Sequence, residues 1–238
     1  MNRVSGLYHY FSRAERLLWL GSAAAVTVFY LLFDGTRPLS LLASLIGVTY
    51  LIFNARGNPI GQVLVILFSL LYGYISWTFA YYGEMVTYLG MTMPMAVIAL
   101  IAWLRNPFQG NRAEVEMTRL RGREIGFMFA LSAGVTAGFY FILRAFHTAN
   151  LLPSTLSVTT SFLAVYLTAR RSPWYAVAYA MNDVVLLVLW SLASLENPAY
   201  VSVIACFAVF LVNDVYSFFS WRAIRARQNS QKEWNATD

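Results

Sequence analysis

Two Asn-Asp pairs lie inside long apolar stretches in the last third of the chain. Asn182 precedes Asp183, Asn213 precedes Asp214, and the flanking residues are mainly aliphatic and aromatic. A carboxyl group in such a stretch is costly unless it faces protein or water, so it is a functional candidate by default. Amide side chains both donate hydrogen bonds to hydroxyl groups and accept them. The pairs therefore indicate a site that binds a polar small molecule.

Around the first pair, helical spacing gathers aromatic and polar side chains on one face. Tyr179, Asn182 and Asp183 follow one another at helical intervals, so a helix places them on the same side. Trp174 lies eight residues before Asn182 and shares an edge of that face. Asn182 is the first candidate for a ligand-binding residue.

Three other apolar stretches contribute further candidates for the same site. These are Gln62 and Trp77 in the third stretch, Thr160 in the sixth, and Asn213 and Asp214 in the eighth. Each has a structural alternative. A threonine in a spanning helix often bonds to its own backbone, and Asp214 is near enough to the arginine-rich end of its stretch to pair with an arginine.

Tryptophans near the ends of the apolar stretches also have two interpretations. Trp103, Trp174 and Trp221 are at such ends, and Trp77 is close to one. Indole rings are enriched at both membrane–water interfaces, which favours a belt position over a ligand contact. We therefore expect Trp103, Trp174 and Trp221 to lie at the membrane boundary, and the same interpretation applies to Trp77.

The elements that must position these residues are membrane-spanning helices. Hydrophobic residues make up 59% of the chain and charged residues 12%, against about 25% charged in soluble proteins. About 20 apolar residues span a bilayer as a helix. The sequence predicts an all-α polytopic membrane protein with a single domain over residues 1–238 and eight spans, at 17–33, 38–53, 61–82, 86–104, 125–146, 151–169, 174–193 and 199–221.

The basic residues indicate the orientation of these spans. When ends and loops are taken in alternation, 15 of the 17 Lys and Arg residues fall on one side, and only Arg37 and Arg144 on the other. Short loops rich in Lys and Arg stay in the cytoplasm, so both termini are predicted to be cytoplasmic. The excess positive charge then meets anionic lipid headgroups, and we do not expect a nucleic acid partner.

An internal repeat organises seven of the eight spans. Residues 38–104 correspond to 153–221, with Trp77 matching Trp190 and Trp103 matching Trp221 at offsets of 113 and 118 residues. The link that begins at Asn54 corresponds to the link that begins at Thr168. Two parallel three-helix repeats (about 38–104 and 151–221) require one linking span, at about 125–146. This predicts one extra helix plus a 3+1+3 bundle, with a site between the repeats.

The sequence lacks the motifs of several common kinds of catalytic and metal-binding site. It has no phosphate-binding Gly-rich loop and no His-Glu-x-x-His pattern, and its single cysteine, Cys206, is within an apolar stretch. We therefore expect no enzyme activity, no cofactor and no metal site. A transporter is the favoured interpretation, and a non-transport membrane scaffold is the alternative.

Longer motifs resemble a known family over residues 17–225. These are NARGNPIGQ at 54–62, YGYISW at 72–77, YYGEM at 81–85, and the whole stretch 147–183. In combination they resemble the PnuC family of nicotinamide riboside transporters, relatives of the SWEET sugar transporters. The resemblance implies facilitated diffusion of nicotinamide riboside by alternating access, in the inner membrane of a bacterium and as a homotrimer. Gly134 and Gly138, a small-xxx-small pair, supply a helix-packing face.

The resemblance also implies roles for individual residues. Trp174 and Asn182 resemble the Trp and Asn of the family's penultimate helix, which contact the pyridinium and the ribose, and Gln62 resembles a polar position opening the third helix. Many relatives have a second Trp where this chain has Val177. Tyr175 or Tyr179 is then an alternative stacking residue. Another vitamin or nucleoside, such as thiamine, is the alternative substrate.

Overall fold

The described part of the chain contains eight helices that are long and apolar enough to cross a membrane. The computed structural model describes residues 10–78, 82–148 and 150–237. In chain order the helices are α1 Arg13–Phe33, α2 Pro38–Ala55, α3 Ile60–Thr78, α4 Tyr82–Leu104, α5 Gly122–Ala145, α6 Leu151–Ala169, α7 Tyr175–Ser194 and α8 Val201–Thr237. The predicted all-α membrane fold and its eight spans are confirmed. The predicted end of the third span, beyond residue 78, falls partly outside the described residues.

Two features outside the membrane differ from the prediction. The last helix was expected to end near Trp221, but α8 continues to Thr237 without a break. The connection between α4 and α5 contains an antiparallel hairpin, β1 Pro107–Phe108 and β2 Asn111–Val115. Hydropathy locates only the part of a helix that lies in lipid, so it could predict neither the extension of α8 nor the hairpin.

Polar contacts attach the hairpin to the extended part of α8. The Gln228 side chain accepts from Met117 N at 3.0 Å and donates to Val115 O at 3.0 Å, while Arg227 pairs with Glu114 at 2.6 Å. Gln228 is buried although its neighbours are exposed. These bonds explain why α8 stays helical after it leaves the apolar region.

The first helix is fixed at its start by local bonds and by one ion pair. Ser12 and Glu15 form a capping box, and the Glu15 carboxylate also accepts two bonds from Arg56, at 2.6 and 2.8 Å. The pair connects α1 to the end of α2.

We call the side of the bundle that carries Ser12 and Thr237 the terminal face, and the other side the distal face. Two tryptophans expected at the membrane boundary of the terminal face lie inside the protein instead. Trp103 and Trp221 are 0% exposed and pack together in a core cluster with Tyr175 and Val115. The belt prediction is therefore wrong for both, because the hairpin and α8 cover the helix ends that hydropathy leaves open to lipid.

Candidate substrate-binding site

A mostly enclosed cavity lies near the middle of the bundle, which we call the central cavity. The empty space between its lining atoms amounts to about 460 Å³. All of its lining residues come from α2, α3, α4, α6, α7 and α8; α1 and α5 contribute none of them. They are Tyr50, Val65, Phe68, Tyr88, Thr92, Ser161, Val165, Tyr179, Asn182, Asp183, Phe207, Phe210 and Asp214.

A wide turn in α4 brings Tyr88 and Thr92 to this cavity. Residues Tyr88–Thr92 form a π-helical turn, in which Met93 N donates to Tyr88 O, five residues back. Pro94 follows directly; a proline has no N–H to donate and its ring crowds the preceding turn of the helix. Single π turns often occur at functional sites, because they rotate side chains out of the regular helical face.

Asn182 is held by two hydroxyl groups of α6. Thr160 Oγ1 and Ser161 Oγ donate to Asn182 Oδ1 at 2.8 and 2.9 Å. Because both bonds fill the oxygen side of the amide, its orientation is fixed. No described residue accepts a hydrogen bond from Nδ2, so this group can donate to a bound molecule in the cavity.

Asp183 and Asp214 meet across the interface of α7 and α8. Both carboxyl groups line the central cavity and are close enough to interact directly with each other. Two carboxylates in contact cannot both stay ionised, so at least one of the two groups carries a proton. The outer oxygens, Asp183 Oδ2 and Asp214 Oδ1, are buried and have no hydrogen-bond partner among the described residues. The expected alternative, an arginine partner for Asp214, is absent from the ion pairs of the described chain.

Aromatic rings close the cavity on the other side. Phe68 lies 5.5 Å from Tyr50, 5.8 Å from Tyr88 and 6.0 Å from Phe210, measured between ring centroids. Phe207 and Phe210 are 5.7 Å apart. Rings at such distances present both faces and edges, which suits a flat ligand.

A second cavity opens toward the distal face, and we call it the distal cavity. It has an empty volume of about 830 Å³ and reaches Asp34, Arg37 and Cys206. Phe68, Phe207 and Phe210 line both cavities. These three rings therefore separate the distal cavity from the central one.

The structure brings together some of the candidate residues chosen from sequence. Asn182, Asp183, Tyr179 and Asp214 all line the central cavity. Thr160 lies directly behind it and orients Asn182. The carboxyl groups of Asp183 and Asp214 allowed the sequence analysis to identify α7 and α8 as helices that contribute to the site.

Four other candidates lie elsewhere. Trp174 is 57% exposed before α7 on the terminal face, and Trp77 is 56% exposed on the outer surface of α3. Gln62 is buried near the terminal face, where its Nε2 donates to Asn54 Oδ1 at 2.9 Å. Asn213 turns toward α1 and donates to Ser22 Oγ at 2.9 Å.

Several cavity residues were missed by the sequence analysis. Tyr50, Tyr88, Phe207 and Phe210 have no carboxyl or amide side chain next to them in the sequence, and aromatic residues are frequent throughout the spans. The one sequence feature near Tyr88 that could have drawn attention to it is Pro94, six residues later.

Comparison with known proteins places the chain among transporters. Residues 37–223, more than half of the chain, match the model of a family described as "Nicotinamide mononucleotide transporter". The chain is 23% identical over 230 residues to a protein of Neisseria mucosa named nicotinamide riboside transporter PnuC, covering 95% of this chain and 86% of that one. A protein of the same name from Haemophilus influenzae is 20% identical over 196 residues, covering 80% and 82%.

A solved structure has the same fold. The crystal structure described as that of the vitamin B3 transporter PnuC superposes with a TM-score of 0.79. The superposition covers 92% of this chain and 94% of that one at 22% identity.

Proposed function

The chain belongs to the nicotinamide mononucleotide transporter family, and we propose that it carries nicotinamide riboside across the inner membrane of a bacterium. The names of the two curated relatives support this substrate. We propose no chemical change to the substrate and no cofactor. Alternating access around the central cavity is the proposed mechanism.

The single observation that carries the proposal is the Asp183–Asp214 pair beside aromatic rings and an oriented amide. Nicotinamide riboside has a permanently cationic pyridinium ring and a sugar with several hydroxyls. We propose that the pair keeps one negative charge, which complements the ring, and a cation over an aromatic face gains about 0.5–2 kcal/mol. Asn182 Nδ2 is a donor for the ribose hydroxyls.

The family is described by the mononucleotide and the relatives by the riboside, and these two compounds differ by one phosphate group. The central cavity favours the riboside for this chain. None of its lining side chains is basic, and a phosphate would stand close to the carboxyl pair. Like charges in a buried site repel strongly, because little water screens them.

Binding assays test the substrate. We expect calorimetric titration of the purified protein to show binding of nicotinamide riboside, with much weaker binding of the mononucleotide, thiamine and glucose. Tighter binding of the mononucleotide than of the riboside would overturn the proposal. Binding of none of the four would favour the membrane scaffold.

Transport assays test the mechanism. We propose passive transport, because no hydrogen bond among the described residues links Asp183 or Asp214 to an acidic or basic side chain at either face. Uptake of the riboside into proteoliposomes should be unchanged when a proton gradient is imposed. Strict dependence on the gradient would instead indicate proton coupling through Asp183 and Asp214.

Orientation and assembly complete the proposal. We propose that the terminal face is cytoplasmic, as the charge asymmetry predicts, and that the protein is a homotrimer. In support of an assembly, Gly134 and Gly138 on α5 have open space where a side chain would stand. Light scattering of the detergent-solubilised protein should give the molar mass of a trimer. The double variant Gly134→Leu/Gly138→Leu should give the molar mass of a monomer. A monomeric parent protein would contradict this part alone.

A further inference from the structure

A third cavity lies on the terminal face, remote from the central one, and we call it the basic pocket. Its empty volume is about 910 Å³, and its lining includes Arg119, Arg222 and Arg225 but no acidic residue. The three arginines come from the segment before α5 and from α8, so the fold rather than sequence proximity gathers them. Arg222 lies over the Phe218 ring, 5.6 Å from its centroid.

The charge of this pocket is not compensated within the described chain. On the terminal face Glu15 pairs with Arg56, Glu114 with Arg227, Glu116 with Lys232 and Glu124 with Arg170. These pairs occupy four acids, whereas none of the three pocket arginines belongs to an ion pair of the described residues. Three guanidinium groups around one cavity favour an anion with several oxygens, above all a phosphate.

Two further features point to the same ligand chemistry. Ser172 is 1% exposed and lines the pocket; its hydroxyl accepts from Trp174 N at 3.4 Å, but no described residue accepts its hydrogen. In addition, α7 begins at Tyr175, directly after the pocket residues Pro173 and Trp174. The amide groups at a helix start carry partial positive charge and favour anions.

Exposed apolar side chains at the rim indicate where the anion comes from. Ile125 and Trp174 line the pocket and are 41% and 57% exposed. An indole beside arginines is typical of the headgroup level of a membrane. A phospholipid can place its phosphate among the arginines while its acyl chains follow Ile125 into the bilayer.

We propose that the basic pocket binds the phosphate of an anionic phospholipid. The bound lipid contacts the start of α5, the α6–α7 turn and α8 together, so it joins the linker helix to the second predicted repeat. This site is separate from the central cavity and is independent of the identity of the transported substrate. Basic pockets between helices on the cytoplasmic side are suited to anionic headgroups.

Native mass spectrometry of the purified protein, titrated with phosphatidylglycerol or with phosphatidylcholine, tests the proposal. We expect retention of phosphatidylglycerol over phosphatidylcholine, and an affinity reduced about tenfold or more in Arg222→Gln/Arg225→Gln. The matched control is Arg105→Gln/Arg112→Gln, which removes the same charge from the same face outside the pocket and should bind as the parent does. If the double variant folds poorly, the single variant Arg119→Gln provides the same test. Arg119 is exposed, and its replacement should also weaken lipid binding.

Three outcomes would overturn it. Equal loss in the two double variants would show a general effect of charge, and unchanged binding in the pocket variants would remove the site. Displacement of the lipid by inorganic phosphate or a nucleoside monophosphate at similar concentration would show that the phosphate site takes a soluble ligand instead. Riboside titration of the same samples separates this result from the proposed function, because pocket variants should bind the riboside normally.

Discussion

Trp103 and Trp221 form a reciprocal pair at the terminal face. Their ring centroids are 5.6 Å apart. Trp103 Nε1 donates to Thr168 O at 2.9 Å, and Trp221 Nε1 donates to Asn54 O at 2.7 Å. Each indole thus bonds to the helix end that belongs to the other predicted repeat.

The helix ends that receive these bonds are also alike. Gly57 and Arg171 both have positive φ, at 65° and 56°, and the next residues, Asn58 and Ser172, each donate to the carbonyl five residues back at 3.0 Å. Both ends are therefore Schellman-type caps. The repeat itself stays a prediction, and this paired geometry is the arrangement it leads us to expect.

The first prediction concerns the stability provided by this pair. We expect Trp103→Phe and Trp221→Phe each to lower the free energy of unfolding by about 1–3 kcal/mol, because each leaves a buried carbonyl without its donor. Thermal unfolding followed by size-exclusion chromatography measures the change. Trp234→Phe is the control, since Trp234 is 69% exposed. Strongly unequal effects of the two core variants would weaken the case for the repeat.

The second prediction separates ligand-binding amides from structural ones. Asn182→Leu should weaken riboside binding by about 1–3 kcal/mol, because a buried ribose hydroxyl loses its partner, and should leave folding largely intact. Thr160 retains backbone acceptors at Leu156 O and Ser157 O. Gln62→Leu, outside the cavity, should reduce stability and leave the affinity of the folded protein unchanged. Calorimetry measures the riboside affinity of both variants, and thermal unfolding measures their stability. If Asn182→Leu lowers stability but not affinity, Asn182 is a packing residue.

The third prediction concerns the charge of the carboxyl pair. Asp183→Asn should allow a hydrogen bond to Asp214, because an amide donates as a protonated carboxyl does. Asp183→Asn/Asp214→Asn removes the charge as well, and riboside affinity should then fall by about 1.5–3 kcal/mol, the usual range for a bond to a charged group. An uncharged nucleoside serves as the control ligand and should lose little. Full riboside binding by the double variant would refute charge recognition.

The fourth prediction concerns the distal cavity as part of the route. Cys206 is the only cysteine of the chain, is 8% exposed and lines this cavity. A maleimide attached to Cys206 should block riboside uptake into proteoliposomes, because the adduct fills the distal cavity beside the rings that separate it from the central cavity. Cys206→Ser should transport normally and resist the reagent. Unimpaired uptake by protein shown by mass spectrometry to be fully labelled would exclude the distal cavity from the route.

The sequence by itself determined the number and location of the spans and the two helices that carry the acidic residues of the site. Hydropathy depends on local composition, and a buried carboxyl group is conspicuous wherever it occurs. It also indicated Asn182, whose amide is in the middle of a mixed polar and aromatic face. Those features need no knowledge of which helix packs against which.

Only the tertiary structure decided which side chain of each helix faces the cavity. Successive residues point about 100° apart around a helix, so Asp214 meets Asp183 while its neighbour Asn213 bonds to Ser22 on α1. The same packing buries Trp103 and Trp221 and leaves Trp174 and Trp77 exposed. Helix rotation is fixed by contacts between distant parts of the chain, and tryptophans at the ends of apolar stretches therefore look alike in the sequence although their environments differ.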